Sequence, residues 1–155
     1  MNLGQGDFLA TIMSNIERVG WMAIGVMPTI DDPLHTPFTY SIGCYGHDGH
    51  PEFIVLGLNP SLAHVLLDGL CRRVAAGERF ADGEADDKVL EGYPVRFKAL
   101  PPDGTPLNWA RNYYGVEELP ALQIVWPDKE GRFPGEEGCE PQYVTAQEIE
   151  AVRDA

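Results

Sequence analysis

The chain has 155 residues, of which 44% are hydrophobic and 23% are charged, and these are the values of one ordinary globular domain. Its formal net charge of −13 repels a phosphate backbone, which argues against nucleic acid as a partner. The three cysteines show no short spacing, as in proteins of a reducing compartment, and no apolar run reaches the roughly 20 residues of a membrane span. We therefore predict a single domain over residues 1–155, in the cytoplasm, without a membrane partner, and either alone or as a homodimer.

The amino-terminal part is predicted to hold a helix and a strand. Residues 8–19 carry apolar side chains at intervals of three to four, and Gly20 stands where a helix commonly ends. The short apolar run at residues 21–27 is typical of a strand. Residues 29–37, with two Asp and two Pro, are typical of a loop between strands.

Two predicted strands then flank a turn-rich segment. Residues 38–42 alternate in the period of a strand with one buried face, and residues 53–58 are continuously apolar, as in an interior strand. Residues 43–52 between them contain three glycines and a proline, which predicts an antiparallel hairpin with a long ordered loop. This loop concentrates the side chains of greatest chemical interest.

The strongest helix signal follows the hairpin. Asn59 and the proline after it make a helix start, and Gly77 is a natural stop. The predicted apolar stripe of this helix consists of Leu62, Val65, Leu66, Leu70 and Val74. After an acidic, turn-rich segment at residues 78–91, residues 93–100 alternate like an edge strand, with Pro94 near its start.

The carboxy-terminal part completes the predicted fold. It adds a short helix at residues 108–114, a buried strand at residues 121–126 and irregular structure at residues 127–141. Thr145, followed three residues later by Glu148, forms a capping box and predicts a last helix. Elements in this order indicate an α+β fold, in which helices flank a mainly antiparallel sheet or a partly open, split barrel.

The hairpin loop holds residue types that bind transition metals. Cys44, His47 and His50 are spaced three apart, and Glu52 follows. Structural zinc sites usually have a second pair of ligands. The distant candidates considered for such a pair are His35 and Cys139. We therefore predict no metal; in the alternative interpretation of the loop, Cys44 packs at the end of a strand and the histidines bond locally.

His50 and Glu52, in the HPE loop at residues 50–52, could instead form an acid/base pair. A histidine titrates near neutral pH, and a carboxylate on the same side of an extended chain can orient it. The structural alternative is that Glu52 ties down the loop by accepting hydrogen bonds from backbone amides. The chain has neither a glycine-flanked nucleophile elbow nor a glycine-rich phosphate motif, so whether it is an enzyme stays open.

A second segment of interest is WPDKEGRFPG, which begins with the WPD loop at residues 126–128. In one interpretation this segment is a lid or pocket wall, with Trp126 and Phe133 facing a planar ligand and Tyr113 and Tyr114 contributing. In the other, Asp128 forms a local Asx turn, and Trp126 buries its ring with its indole N–H bonded.

Five motifs follow one another along the chain. They are GW at residues 20–21, FTYSIG at 38–43, GHPEFIVLGL at 49–58, GERF at 77–80 and LQIVWPDKEGRFP at 122–134. In this order, over about residues 18–136, they resemble a bacterial family known only as domain-of-unknown-function family 4262. The resemblance implies an intact domain and points to the HPE and WPD loops, without implying an activity.

A looser likeness in pattern is to the flavin-binding split barrels of the flavin reductase and pyridoxamine phosphate oxidase type. In those proteins, as in this chain, a strand of small and hydroxyl residues precedes a proline-led apolar strand and a helix. The likeness implies a flavin as cofactor. The basic residues best available for its phosphate are Arg72, Arg73, Arg96 and Lys98.

These features together predict that a small planar molecule, for instance a flavin-like one, binds between the HPE loop and the WPD loop. His50 and Glu52 would supply polar contacts or proton transfer. Tyr40 and Trp126 would form the walls, and Asp128 would orient the ligand. The prediction requires the two loops to meet at one cavity, and it fails if they lie at opposite ends of the sheet.

A function of another class is a non-catalytic interaction or regulatory module. Its acidic surface, including Glu136, Glu137 and Glu140, would then meet a basic protein partner. Replacing His50 and Glu52 by Ala would leave partner binding by such a module intact, whereas it would abolish a pocket function.

Overall fold

The structure, a computed structural model, describes residues 3–28, 36–103 and 105–152. Within these residues, six strands form one open sheet with the order β1-β2-β3-β6-β5-β4. In chain order the strands are β1 (Met22–Val26), β2 (Phe38–Ile42), β3 (Glu52–Leu56), β4 (Ala85–Leu90), β5 (Tyr93–Leu100) and β6 (Ala121–Val125). Residues 29–35 of the predicted loop, including His35, lie outside the described residues.

Helices flank the sheet. Those in the described part of the chain are α1 (Leu3–Val19), α2 (Cys44–Asp48), α3 (Pro60–Ala75), α4 (Asn108–Tyr114), α5 (Pro141–Thr145) and the 3-10 helix Ile149–Val152. The predicted start of α3 is confirmed, because the Asn59 side chain accepts a hydrogen bond from the Ser61 amide. None of the described helices is both long and apolar enough to cross a membrane.

The directions of the strands determine where the HPE loop and the WPD loop lie. Neighbouring strands pair antiparallel except β3 and β6, which are parallel. The hairpin of β2 and β3 is antiparallel as predicted, and β3 is interior. The prediction of an α+β fold with flanking helices on a mainly antiparallel sheet is confirmed, and the sheet is open. Because β3 and β6 are parallel, the start of β3 and the end of β6 lie at opposite ends of the sheet.

The prediction that residues 93–100 form an edge strand is wrong. β5 covers these residues but lies between β6 and β4, and β4 is the edge strand. β4 lies within the segment predicted to be turn-rich. It was missed because its sequence ADDKVL is largely charged and none of its residues is fully buried. The register between β4 and β5 shifts between Asp86 and Leu90. Pro94 lies at this irregularity, where its missing N–H removes no regular ladder bond.

Two short helices also differ from the prediction. The hairpin loop contains α2, which is flanked by Gly43 with φ 132° and Gly49 with φ 66°. Both conformations favour glycine, so the glycines that predicted a loop in fact bound a helix. At the carboxyl end, Thr145 ends α5 instead of beginning a helix. The helix begins at Pro141, because proline suits the first helical turn.

Both faces of the sheet are buried. α3 packs on one face against Phe53 and Val55 of β3. α1 and α4 pack on the other face, which includes Ile54 and Leu56 of the same strand. Successive side chains of a strand point to opposite faces, which explains why β3 is continuously apolar.

The apolar stripe of α3 covers a narrower arc of the helix surface than predicted and is rotated about the helix axis. Leu62 and Val65 are 42% and 71% exposed. The buried side chains of α3 are Ala63, Leu66, Leu67, Leu70, Cys71 and Val74. The stripe therefore includes Cys71, whose sulfur lies beside that of Cys44, just after the end of β2.

Candidate functional site

The start of β3 holds a buried carboxylate with four hydrogen-bond donors. Glu52 is 0% exposed. Its Oε1 accepts from Ser41 Oγ at 2.7 Å, and its Oε2 accepts from the amides of Gly43 and Tyr45, each at 3.0 Å. The fourth donor is the hydroxyl of Tyr114, on α4. The structural alternative for Glu52, in which it ties down the loop through backbone amides, is confirmed.

Tyr114 links α4 to the hairpin loop. Its hydroxyl also accepts from the amides of Gly43 at 2.7 Å and Gly46 at 3.2 Å. Burial raises the pKa of the Tyr114 hydroxyl, and the charge of Glu52 raises it further, so the hydroxyl stays protonated and can donate. Burial also raises the pKa of Glu52, while its four donors favour the ionised form. The two side chains therefore share a buried, fully bonded cluster, which we call the Glu52 cluster.

His50 is a buried imidazole with both ring nitrogens bonded. Nδ1 lies 2.7 Å from the Pro51 carbonyl oxygen, and Nε2 accepts from the Phe80 amide at 3.0 Å. A carbonyl only accepts, so the proton resides on Nδ1. Burial lowers the pKa of His50, which favours the neutral ring. The hydrogen-bond partners of His50 and Glu52 are separate, so the structure does not join them as an acid/base pair.

A cleft opens beside the Glu52 cluster and is bordered by α1, α2 and α4. Its volume is about 550 Å³. The lining residues are Leu9, Met13, Ile16, Gly43, Gly46, His47, Tyr113 and Tyr114. Apolar side chains of α1 form one wall, and the backbone of α2 and the tyrosines of α4 form the other. Tyr114 thus belongs both to the cleft and to the buried cluster, and we call this space the Tyr114 cleft.

Trp126 and Asp128 lie at the other end of the sheet. Glu52 pairs with Ala121 where β3 and β6 both begin, whereas Trp126 follows the end of β6. The indole N–H of Trp126 donates to the carbonyl of Leu56, at the end of β3. The structure therefore separates the HPE loop from the WPD loop, and the condition for a shared pocket is not met.

Asp128 holds a local turn. Its Oδ1 accepts from the amides of Glu130 at 2.9 Å and Arg132 at 2.8 Å, and its Oδ2 accepts from Arg132 Nε at 2.9 Å. Its side chain is 1% exposed. This Asx-type turn and the bonded indole of Trp126 confirm the structural alternatives for both residues.

Tyr40, predicted as a pocket wall, lies in the core beneath α1 and α4. It is 1% exposed. Its hydroxyl accepts from the Trp109 amide at 3.0 Å, and burial raises the pKa of Tyr40 to about 12. The side chain therefore anchors the first turn of α4 to the sheet.

The cysteines and histidines of the hairpin loop do not converge. Cys44 Sγ lies 3.3 Å from Sγ of Cys71, and His47 Nδ1 lies 3.1 Å from Asp48 Oδ1. Among the described residues, no group of three or more His, Cys, Asp and Glu side chains is arranged to hold a metal ion. His35, one of the distant candidates, lies outside that part of the chain. The alternative interpretation is confirmed for the packed Cys44 and for the locally bonded His47, whereas His50 bonds both to Pro51 and, far along the chain, to the Phe80 amide.

Part of the acidic surface is paired within the chain. Arg73 forms ion pairs with Glu78 at 2.9 Å and Asp86 at 2.7 Å, and Arg96 lies 3.5 Å from Glu136. Glu136 was predicted to meet a basic partner. Because these carboxylates already lie beside an arginine of the same chain, fewer unpaired carboxylates are left for a basic partner.

Sequence reasoning missed the α1 wall of the Tyr114 cleft. Leu9, Met13 and Ile16 follow helical spacing, so a second apolar line on α1 was available as a signal. Cys71 gave no signal of its own, because it falls within the apolar stripe of α3. Its approach to Cys44 is visible only in the folded structure.

The comparisons with known proteins give one match. A family model described as "Domain of unknown function (DUF4262)" matches residues 15–140, from the second half of α1 to just before α5. No curated protein matches the chain, and no solved structure matches it. The matched region includes the Glu52 cluster and the WPD loop, and the predicted family resemblance is confirmed.

Proposed function

Because the chain belongs to the DUF4262 family, whose description names no activity, its function must follow from its own site, and we propose that it binds a small planar molecule in the Tyr114 cleft. In this proposal, Glu52 acts beneath the floor of the cleft by fixing the loop and Tyr114. The other residues predicted as ligand contacts act in the fold instead; they are Tyr40, His50, Trp126 and Asp128.

The observation that supports the proposal most is that the exposed apolar wall of α1 faces tyrosine rings of α4 that are held in place. Met13 is 55% exposed on the wall. On the opposite wall, the ring of Tyr114 is held in place because its hydroxyl is fully bonded to Glu52, Gly43 and Gly46. Sites for small molecules combine mainly apolar walls with a few fixed polar groups. A flat ring system would cover the exposed wall and lie against the tyrosine rings.

Charge narrows the class of ligand. Among the described residues that line the Tyr114 cleft there is neither Lys nor Arg, and His47 is 67% exposed at its rim. The chain has a net charge of −13, so its electrostatic potential is unfavourable for a phosphate group. The four basic residues considered for a flavin phosphate do not line this cleft. The favoured ligand is therefore a planar molecule without phosphate, and riboflavin suits the cleft better than flavin mononucleotide.

Binding of two neutral planar probes, Nile red and riboflavin, tests the proposal. We expect Nile red fluorescence to rise on binding and riboflavin to raise the melting temperature, with flavin mononucleotide binding more weakly. Met13→Glu should weaken binding of the neutral probes roughly tenfold or more, because it replaces the apolar surface that the ligand would cover.

Met27→Glu is the matched control. Met27 is 50% exposed, close to the value for Met13, and it lies outside the Tyr114 cleft. The same charge is added, so nonspecific repulsion acts equally in both variants. We expect Met27→Glu to bind both probes like the wild type. Equal loss of binding in the two variants, or no binding of either neutral probe by the wild type, would contradict the proposal.

A further inference from the structure

A second cleft, of about 460 Å³, lies between α1, β1 and α3 and reaches a cysteine. The cysteine is Cys71, whose side chain lines the cleft although only 1% of the residue is exposed. Trp21 forms part of the wall, and its indole N–H donates to Asp68 Oδ1 at 2.8 Å. The guanidinium of Arg72 lies 5.3 Å from the centre of the Trp21 ring. The wall is thus held in place, and the cleft extends as far as Cys71.

A second thiol lies against Cys71. Cys44, at the start of α2, donates a hydrogen bond from its Sγ to Sγ of Cys71 at 3.3 Å. The residues are 27 positions apart on different elements, and both thiols are free and buried. A disulfide needs the sulfurs about 2 Å apart, so they must approach by roughly 1 Å. Burial alone would explain two packed cysteines, but it does not require their sulfurs to be in contact.

We propose that Cys44 and Cys71 form an oxidisable dithiol, which a small hydroperoxide entering through this cleft converts into an intramolecular disulfide. The contact between the sulfurs and the opening of the cleft onto one of them carry the proposal together. It does not depend on ligand binding in the Tyr114 cleft. The disulfide would join α2 to α3.

The reaction begins at Cys71, because this thiol borders the cleft. Its sulfur, as the thiolate, attacks one peroxide oxygen, the O–O bond breaks, and the leaving oxygen departs as water with the proton from the thiol. Cys71 is then a sulfenic acid. Cys44 Sγ attacks Cys71 Sγ, the S–O bond breaks, and the hydroxyl leaves as a second water with the proton of Cys44. Two thiols lose two electrons, and hydrogen peroxide is reduced to two waters.

The environment of Cys44 disfavours it as the first thiol to react. Its hydrogen bond to Cys71 and its burial raise the pKa of the Cys44 thiol. Because the thiolate is the attacking species, the Cys44 thiol is disfavoured in the first step, and it gives up its proton only to the hydroxyl that leaves Cys71 in the second. The short distance between the sulfurs then favours disulfide formation over further oxidation of Cys71.

The test treats the folded chain with hydrogen peroxide, removes the peroxide, and alkylates the remaining thiols in denaturant. We expect the mass of the chain to decrease by two hydrogen atoms before alkylation, and the three alkylatable thiols to fall to one, Cys139. Proteolysis should yield a peptide containing Cys44 linked to one containing Cys71. Dithiothreitol should restore all three thiols. A wild type that keeps three thiols, or a link that involves Cys139, would overturn the proposal.

Substitution of each cysteine by serine shows which cysteine acts in which step. Cys139→Ser is the matched control and should form the same link. Cys44→Ser should stop at the Cys71 sulfenic acid, which dimedone traps, whereas Cys71→Ser should give neither the trapped product nor the link. Trapping at Cys44 in the Cys71→Ser variant would overturn the order of the steps. If a core variant does not fold by circular dichroism, the link formed in Cys139→Ser still decides whether the dithiol is oxidisable.

Discussion

The hydroxyl of Tyr114 donates a hydrogen bond to Oε2 of Glu52, 62 positions away in the chain. The bond connects α4 with the start of β3. Through the same carboxylate it reaches the amides of Gly43 and Tyr45, which lead from β2 into α2. One buried acid thus sets the path of the loop that forms a wall of the Tyr114 cleft.

Removing the Tyr114 hydroxyl tests its contribution to the fold. Tyr114→Phe keeps the ring but leaves the buried Glu52 carboxylate with one donor fewer. We expect the free energy of unfolding, measured in urea, to fall by about 1–3 kcal/mol. Tyr113→Phe, at the next position, is the control and should change it by less than about 0.5 kcal/mol. If the two variants lose the same stability, the hydroxyl of Tyr114 does not have this role.

The stability contributed by Glu52 should depend on pH. Burial raises its pKa above the ordinary value of 4.5, so the folded state holds the proton more tightly than the unfolded state does. The contribution is therefore full below the unfolded pKa and is lost as the pH rises through the folded pKa. Glu52→Gln keeps the shape of the side chain and removes this titration.

Urea unfolding of the wild type and of Glu52→Gln, at pH values from below 4.5 upward, tests this pH dependence. We expect the stability of the wild type relative to Glu52→Gln to decrease as the pH rises above 4.5. A difference that stays constant, or that grows with rising pH, would mean that the four donors outweigh burial and hold the pKa of Glu52 at or below its ordinary value.

His50 should show the opposite dependence. Burial lowers its pKa below the ordinary value of 6.5. Its contribution is therefore full above that pH and is lost as the pH falls through the folded pKa. Protonation would also place a second donor against the Phe80 amide. In His50→Gln, an amide oxygen can accept from Phe80 without titrating, so this variant should lose less stability than the wild type on acidification.

His47→Gln is the matched control for the histidine prediction. His47 belongs to the same loop, but its side chain is 67% exposed. Urea midpoints measured above and below pH 6.5 should change in this variant as they do in the wild type. If His47→Gln, and not His50→Gln, reduces the acid sensitivity, the assignment to the buried ring is wrong.

Local patterns predict the elements whose own residues determine them. β2 and α4 have the predicted bounds, because alternation and helical spacing lie within each segment. β4 escaped prediction because its exposed, charged residues form a strand only by pairing with β5. Because β4 was not predicted, its neighbour β5 was wrongly predicted to be an edge strand.

The candidate site depends on contacts that no local pattern contains. A glycine-rich loop followed by an acid was enough to foresee that Glu52 could bond to backbone amides. The donor from Tyr114 is supplied by a helix far along the chain. The separation of the HPE and WPD loops follows from the parallel pairing of β3 with β6. The sequence indicates both strands, but their relative direction depends on how α3, β4 and β5 connect them.

Gly43 should be the least replaceable glycine of the hairpin loop. It has φ 132°, and an added Cβ would contact the Gly20 carbonyl oxygen and lie 2.7 Å from Trp21 Cα. Gly49 also has a positive φ, of 66°, but an added Cβ there would meet nothing within 4 Å. Both substitutions by Ala strain the backbone, but Gly43→Ala adds a φ that lies outside the left-handed helical region and the close approach between the loop and the chain that leaves α1.

We expect Gly49→Ala to lower the free energy of unfolding by about 1–2 kcal/mol, the cost of placing a side chain in a left-handed conformation. Gly43→Ala should lose roughly a further 1–3 kcal/mol, because backbone on both sides must move to admit the methyl group. Urea denaturation measures both values. Since Gly43 also lines the Tyr114 cleft, Gly43→Ala should weaken Nile red binding as well. Equal losses of stability in the two variants would show that the fold does not depend on this close approach.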